Sequence, residues 1–252
     1  MIIGVTGTTK VGKSTFIKDF IKKYNKYELL EESYRDIEGL DLYEKGTEES
    51  QRLIRDYMFK QAKEVWAKRD TKRKVIHDRT LLDNLACTMY LYSLGKISDE
   101  FLIESFEITK KAMSMYHLIY FLPITKGDKI KVPDDIDEEY RGCIDVILKT
   151  IYYAYENGDD TLTEDIFPKE NCTAMEEVFG SREERIGFCS LVLDEEGEII
   201  GEGDAPSIEE VLGLAGDNPA VAEFEDGGEK KVIDLKSFGF TDEEIEKNTL
   251  DV

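Results

Sequence analysis

Basic side chains, histidine and closely spaced cysteine are what this chain has least of. Its 252 residues hold 33 Lys and Arg against 55 Asp and Glu, a formal charge of -22. Loose, non-specific contact between the whole molecule and a nucleic-acid backbone is thereby disfavoured, because phosphate neutralisation needs clustered cations. Only two histidines occur, His77 and His117, and the cysteines Cys87, Cys143, Cys172 and Cys189 lie far apart. The spacing of zinc sites and redox dithiols is therefore missing. No structural metal site is expected, and the thiols read as reduced. No apolar run approaches the ~18 residues of a membrane span. The N-terminus lacks the secretory pattern of a cationic start, an apolar stretch and a small-residue cleavage site. No internal repeat is present. Together these absences lead to the expectation of a cytoplasmic globular protein without a membrane partner.

The length fits one large domain, or one domain with a small appendage, and suffices to bury a core without staples. With 41% apolar and 35% charged residues, the composition supports folding rather than bulk disorder. The charge is unevenly spread. Residues 186–252 carry 19 acids and 4 bases, a net of -15, whereas residues 1–185 carry 36 and 29, a net of -7. This shift leads to a division into a domain over 1–201 and an acidic C-terminal appendage over 202–252.

Short strand-like segments, the first an apolar run rich in β-branched residues, alternate with helix-period segments. Strands are expected at Met1–Thr6, Tyr27–Glu32, Lys74–His77, His117–Leu122 and Thr173–Phe179. Helices are expected at Lys13–Tyr24, Thr47–Arg69, Leu81–Leu94, Asp99–Met115, Asp135–Glu156 and Ser181–Leu193, with Ser98 and Ser181 as N-caps. The acidic stretch Asp159–Glu170 reads as a linker. The tail holds a turn at Gly197, a helix at Ser207–Leu214, a hairpin at Asp226-Gly227-Gly228 and a helix start at Thr241–Lys247. Alternation over 1–195 predicts an α/β domain with a largely parallel sheet and helices on both faces. Ligands of such sheets bind at the carboxyl ends of the strands.

At the end of the first strand, Gly7-Thr8-Thr9-Lys10-Val11-Gly12-Lys13-Ser14 matches G-x-x-x-x-G-K-[ST] in full. Glycines let such a loop turn tightly and aim successive N–H groups inward. The following helix adds its positive end to the same cavity. Lys13 would reach the β- and γ-phosphates of ATP or GTP, the Ser14 hydroxyl would ligate Mg2+, and Thr15 would back the α-phosphate. This pattern is strong for nucleotide binding, but it does not choose among kinase, motor and switch.

Asp78 follows the third strand, where a second acidic group for Mg2+ or water is expected. Arg79 and Thr80 come next, and Asp83 falls in the first turn of the following helix, as a substrate contact or a dipole-stabilising acid. Glu31 and Glu32 end the second strand. A carboxylate there would accept the proton of an attacking hydroxyl, and Arg35 would bind an acceptor phosphate or orient that carboxylate. Arg141, Arg182 and Arg185 would neutralise phosphate oxygens, with Lys126–Arg141 closing over the nucleotide as a lid. The basic stretch Lys68–Lys74 is a candidate nucleic-acid contact or a solvated helix end.

Taken in order, GTTKVGKS, then Glu32-Ser33-Tyr34-Arg35, then Asp78-Arg79-Thr80-Leu81-Leu82-Asp83-Asn84-Leu85-Ala86 resemble P-loop kinases of the nicotinamide-riboside-kinase type. These are nucleoside and nucleotide kinase-like ATPases common in bacteriophages. Tyr120–Pro123, Glu139–Asp145 and Gly180–Ile186 are similar to softer landmarks of that family. The resemblance spans about 1–200. It implies a three-layer P-loop NTPase sandwich with strand order 2-3-1-4-5 and γ-phosphate transfer from Mg-ATP to a small acceptor. It further implies Lys13 and Ser14 at the phosphates and Mg2+, Glu32 or Asp78 near the acceptor with Glu32 preferred, and Arg79 and the later arginines near phosphates. An adenylyltransferase domain, present in some nicotinamide-riboside relatives, is absent from the chain.

The leading expectation is a Mg-ATP-dependent kinase of a nucleoside, nucleotide or related hydroxyl. Alternatives are a kinase of hydroxymethylated pyrimidines within phage DNA, a nicotinamide riboside kinase, and a P-loop ATPase switch whose acidic tail engages a partner. The acceptor and the oligomeric state stay open.

Overall fold

The computed structural model describes residues 1–30, 37, 40–71, 73–125, 130–134, 136–158, 160–168 and 173–201, and the backbone of 221–226 and 229–234. The chain divides into two compact units, Met1–Ile124 with Lys129–Phe179, and Thr125–Asp128 with Gly180–Val252.

The first unit is built on strands β1 (Ile2–Thr6), β2 (Tyr27–Leu30), β3 (Lys74–Asp78), β4 (Leu118–Phe121) and β5 (Ala174–Glu177). They form one parallel sheet in the order 2-3-1-4-5, the α/β topology expected. β1 lies at the centre, paired with β3 and β4, and all of its residues are buried. A strand covered on both faces needs no polar alternation, which explains its nearly continuous apolar sequence.

Helices α1 (Lys13–Lys23), α2 (Glu48–Trp66), α3 (Leu81–Ser93), α4 (Asp99–Met113), α5 (Glu138–Asn157) and α6 (Asp160–Ile166) connect the strands. One sheet face presents Ile3, Val5, Ile76, Leu118 and Tyr120, and α1 supplies Phe16, Ile17 and Phe20 to this side. The Phe20 ring lies 4.8 Å from Tyr24, 5.0 Å from Tyr27 and 6.0 Å from Tyr120, centre to centre. The opposite face presents Ile2, Val75, Ile119, Phe121 and Met175, which share one core with Leu81, Leu82 and Leu85 of α3 and Ile144, Leu148 and Ile151 of α5. Gly4 sits in the middle of β1 because a Cβ there would lie 2.4 Å from Thr80 Cγ2 and 3.2 Å from the Tyr116 ring.

Caps set the helix boundaries. Thr47 and Ser50 form a capping box at α2, Thr80 and Asp83 form one at α3, and Ser98 caps α4 as expected. Gly158, left-handed at φ 62°, terminates α5. The segment read as a linker contains α6. Seven residues are too few for a helical period to show in sequence. The helix is held because Ile166 and the following Phe167 are buried, with the Phe167 ring 5.0 Å from that of Tyr155.

In the second unit, α7 (Arg182–Val192) begins with Ser181 and Glu184 as a capping box, confirming the expected cap. Leu193 and Ile199 bridge antiparallel across the Gly197 turn. Strands β6 (Val221–Asp226) and β7 (Glu229–Asp234) form the expected antiparallel hairpin. The helices expected at 207–214 and 241–247 lie outside the described residues. Among the described residues, no helix is long and apolar enough to cross a membrane.

Candidate active site

The β1–α1 connection has the backbone that its sequence requires. Gly7 takes φ 148°, and a Cβ there would meet the Leu122 carbonyl oxygen at 2.5 Å. Lys10 (φ 55°) and Gly12 (φ 97°) are left-handed, so the chain curls around the N-terminus of α1. Thr8 is buried, and its hydroxyl donates to the Arg141 carbonyl at 3.0 Å. Lys13 folds into the loop, where its Nζ donates to the carbonyls of Gly7 at 2.5 Å and Thr8 at 2.8 Å. Burial, then the nearby Arg79 charge, lowers the Lys13 pKa to about 7, with Asp83 and Asp78 opposing.

Parallel pairing brings the end of β3 to the same loop. Asp78 is in register with Val5, and the Arg79 N–H donates to the Val5 carbonyl at 2.9 Å. Ser14 Oγ donates to Asp78 Oδ2 at 3.1 Å. A hydroxyl and a carboxylate, both hard oxygen donors, thus stand together at the helix end. This pair fits Mg2+, which takes one or two protein oxygens and completes its shell with waters and phosphate oxygens. Thr15, on the first turn of α1, is exposed.

Arg79 occupies a left-handed backbone position, φ 85°, an unfavourable conformation for a side-chain-bearing residue and one concentrated at functional sites. Its Nη1 donates to Asp83 Oδ1 at 3.2 Å. Asp83 is buried and accepts further bonds from the Thr6 hydroxyl at 2.8 Å, the Gly7 N–H at 3.4 Å and the Thr80 N–H at 2.9 Å. Its carboxylate therefore joins the phosphate loop, the β3 end and the α3 cap. Arg141, in the first turn of α5, donates from Nε to the Thr9 carbonyl at 2.9 Å and from Nη2 to that of Lys10 at 3.3 Å.

The predicted residues Gly7 to Thr15, Asp78, Arg79, Asp83 and Arg141 thus converge in the first unit. Arg182 and Arg185 open α7 in the second unit, where Arg185 Nε donates to the Gly180 carbonyl at 3.1 Å. Glu31, Glu32 and Arg35, and residues 126–129 of the expected lid, lie outside the described residues. The basic stretch runs into the amino end of β3, the strand end opposite Asp78. There Arg73 pairs with Glu28 at 2.7 Å, and Arg69 stacks 4.7 Å over Trp66.

Sequence reading missed a second feature. Beside Asp78 and Arg79, a pocket is lined by Leu30, Met58, Gln61, His77 and Tyr116. His77 is its immediate sequence signal, adjoining Asp78. Tyr116 meets it only through tertiary packing. Among the described residues, no three His, Cys, Asp or Glu side chains gather for a metal.

The fold is that of P-loop nucleoside and nucleotide kinases. A deoxyadenosine kinase from M. mycoides, solved with bound dATP, matches with TM-score 0.53 and 17% identity over 75% of this chain and 97% of that one. The same kinase with dCMP and a flexible dCDP matches at TM-score 0.52 and 17% identity, covering 75% and 96%. Thymidylate kinase from Candida albicans matches at TM-score 0.52 and 13% identity, covering 76% and 90%. No protein-family model matches the chain, and no curated protein does.

Proposed function

We propose that this protein is a cytoplasmic Mg-ATP-dependent kinase that transfers the γ-phosphoryl group to a hydroxyl of a nucleoside or nucleotide. The observation that carries this reading is the meeting of Ser14 Oγ and Asp78 Oδ2 at the mouth of a complete phosphate loop. Its support is the likeness in fold to kinases solved with deoxynucleotides.

In this reading the backbone N–H groups of Gly7 to Ser14 cradle the phosphates at the α1 N-terminus. Lys13 leaves the Gly7 and Thr8 carbonyls and turns to the β- and γ-phosphates. Ser14 and Asp78 would hold Mg2+, which would supply positive charge to offset that of the phosphates. Arg79 stabilises charge on the transferred group. Asp83 positions Arg79 and the loop through its four hydrogen bonds, and Arg141 holds the loop tip. The Asp78–Ser14 contact favours a metal-holding role for Asp78. Glu32 then remains as the carboxylate that takes the acceptor proton, a role resting on its motif.

Incubation with γ-labelled ATP and a panel of nucleosides, monophosphates, nicotinamide riboside and hydroxymethylpyrimidine DNA tests the reading. Label is expected on a nucleoside or nucleotide, and Lys13→Ala is expected to lower the rate by about 10²–10³. Tight ATP binding without transfer to any acceptor would overturn it in favour of an ATPase switch.

A further inference from the structure

Three hydrogen bonds tie the phosphate loop to the first turn of α5, across 131 to 133 positions of sequence. The Thr8 hydroxyl donates to the Arg141 carbonyl, while Arg141 Nε and Nη2 donate to the carbonyls of Thr9 and Lys10. The support is firm. Ile144, Leu148 and Ile151 of α5 are buried in the core, and the Tyr140 hydroxyl lies 3.1 Å from Cys87 Sγ on α3. With Lys13 on the Gly7 and Thr8 carbonyls, the carbonyls of residues 7–10 are all held by cationic side chains. In a planar trans peptide unit the C=O and the next residue's N–H point opposite ways. Fixing the Thr9 and Lys10 carbonyls on Arg141 therefore turns the N–H groups of Lys10 and Val11 away from the guanidinium. Among the described residues, nothing accepts from the Lys10 N–H.

We infer that Arg141 is a positioning residue for nucleotide binding. It holds the Thr9 and Lys10 carbonyls so that the Lys10 and Val11 N–H groups face the phosphates of a nucleoside di- or triphosphate, and it acts through the loop rather than on the transferred phosphoryl group. This inference rests on the phosphate-loop part of the reading above. It replaces the direct contact with phosphate oxygens expected of Arg141 from the sequence. An arginine grips a phosphate best with two parallel N–H donors, and here the Nε and Nη2 donors of one edge are spent on backbone carbonyls. Lys13 is drawn to the β- and γ-phosphates in that reading, so Arg141 is the cation that stays with the loop. Oxygens held on it are kept from a bound anion that they would repel.

Calorimetric titration of ADP and ATP in Mg2+ buffer against wild type, Arg141→Lys and Arg141→Met tests the inference. Lysine keeps the charge and loses the two-donor edge, whereas methionine keeps only the stem. Both variants are expected to weaken ADP and ATP by a common factor of about tenfold or more, the scale of hydrogen bonds to a charged group. Unchanged ADP affinity in Arg141→Met, or full affinity in Arg141→Lys, overturns the inference and returns Arg141 to direct neutralisation of phosphate charge. Proton–nitrogen NMR of the wild type keeps the test independent of variant folding. On addition of ADP the Lys10 and Val11 amides are expected to shift, while the Arg141 Nε–H stays protected from solvent exchange. Loss of that protection means that the guanidinium has left the carbonyls, and it overturns the inference. The kinase reading fails separately: a wild type that binds ADP yet labels no acceptor defeats that reading, and the ADP titration still decides the role of Arg141. A wild type that binds neither nucleotide defeats both.

Discussion

Asp83 carries an unusual share of the interactions for a single side chain. Both oxygens are engaged, by Thr6, Gly7, Arg79 and Thr80, and the group is buried. Asp83→Asn keeps the size but replaces one acceptor oxygen with a donor, so it sets an N–H against N–H and O–H groups that also donate. It is expected to cost about 1–2 kcal/mol of stability, as for a lost cap, and to lower kcat because Arg79 loses its anchor. Thermal unfolding and turnover measured together check this, and retained turnover with full stability would contradict it. Gly4 offers a purely steric case. Gly4→Val is expected to destabilise by about 1–3 kcal/mol or more through overpacking against Thr80 and Tyr116, measurable by urea denaturation.

At the scale of elements, two joints matter. α1 fixes the phosphate loop through its ring cluster, so Phe20→Ala is expected to cost about 3–5 kcal/mol and to weaken ATP binding by loosening the helix that supports Lys13. Equilibrium denaturation and ATP titration would show both. The second joint ties α2 to α4. Glu48 accepts from the Ser98 N–H and hydroxyl at 3.0 and 2.8 Å and from Arg52 at 3.3 Å. The Ser98 backbone bond comes first among the causes that lower its pKa below 4.5. A carboxylate with a depressed folded pKa contributes stability above the unfolded value and loses it as pH falls through the folded value. Glu48→Gln is therefore expected to be less stable than wild type at pH 7, with a smaller gap at pH 3. Denaturation at the two pH values decides it, and a constant gap would refute the linkage. The elements themselves were largely legible, because β1, β3 and β4 are short apolar runs between turn or helix signals and the caps Thr47, Thr80, Ser98 and Ser181 are residue types with a preferred role. α6 was not, since what holds it is the burial of Ile166 and Phe167 rather than a local period.

For the molecule as a whole, the charge of -22 divides along the chain. The residues that line the phosphate loop and the β3 end all lie before residue 142, in the first compact unit. A chain ending at residue 201 is expected to fold and to keep phosphoryl transfer, with a much less negative charge. Circular dichroism and the label-transfer assay check this, and loss of transfer in a folded fragment would assign the acidic region a part in the reaction.

The sequence by itself determined the G-x-x-x-x-G-K-S loop after β1, because such a loop is contiguous and its glycines, lysine and serine are demanded by local backbone geometry. It also determined the strand–helix alternation and the acid at the end of β3. Only the tertiary structure decided that Ser14 meets Asp78, that Asp83 is consumed in holding the loop, and that His77 and Tyr116 share a pocket. Those outcomes depend on which strands are neighbours and on what packs between them, and side chains 64, 77 and 39 positions apart leave no local pattern from which to read their meeting.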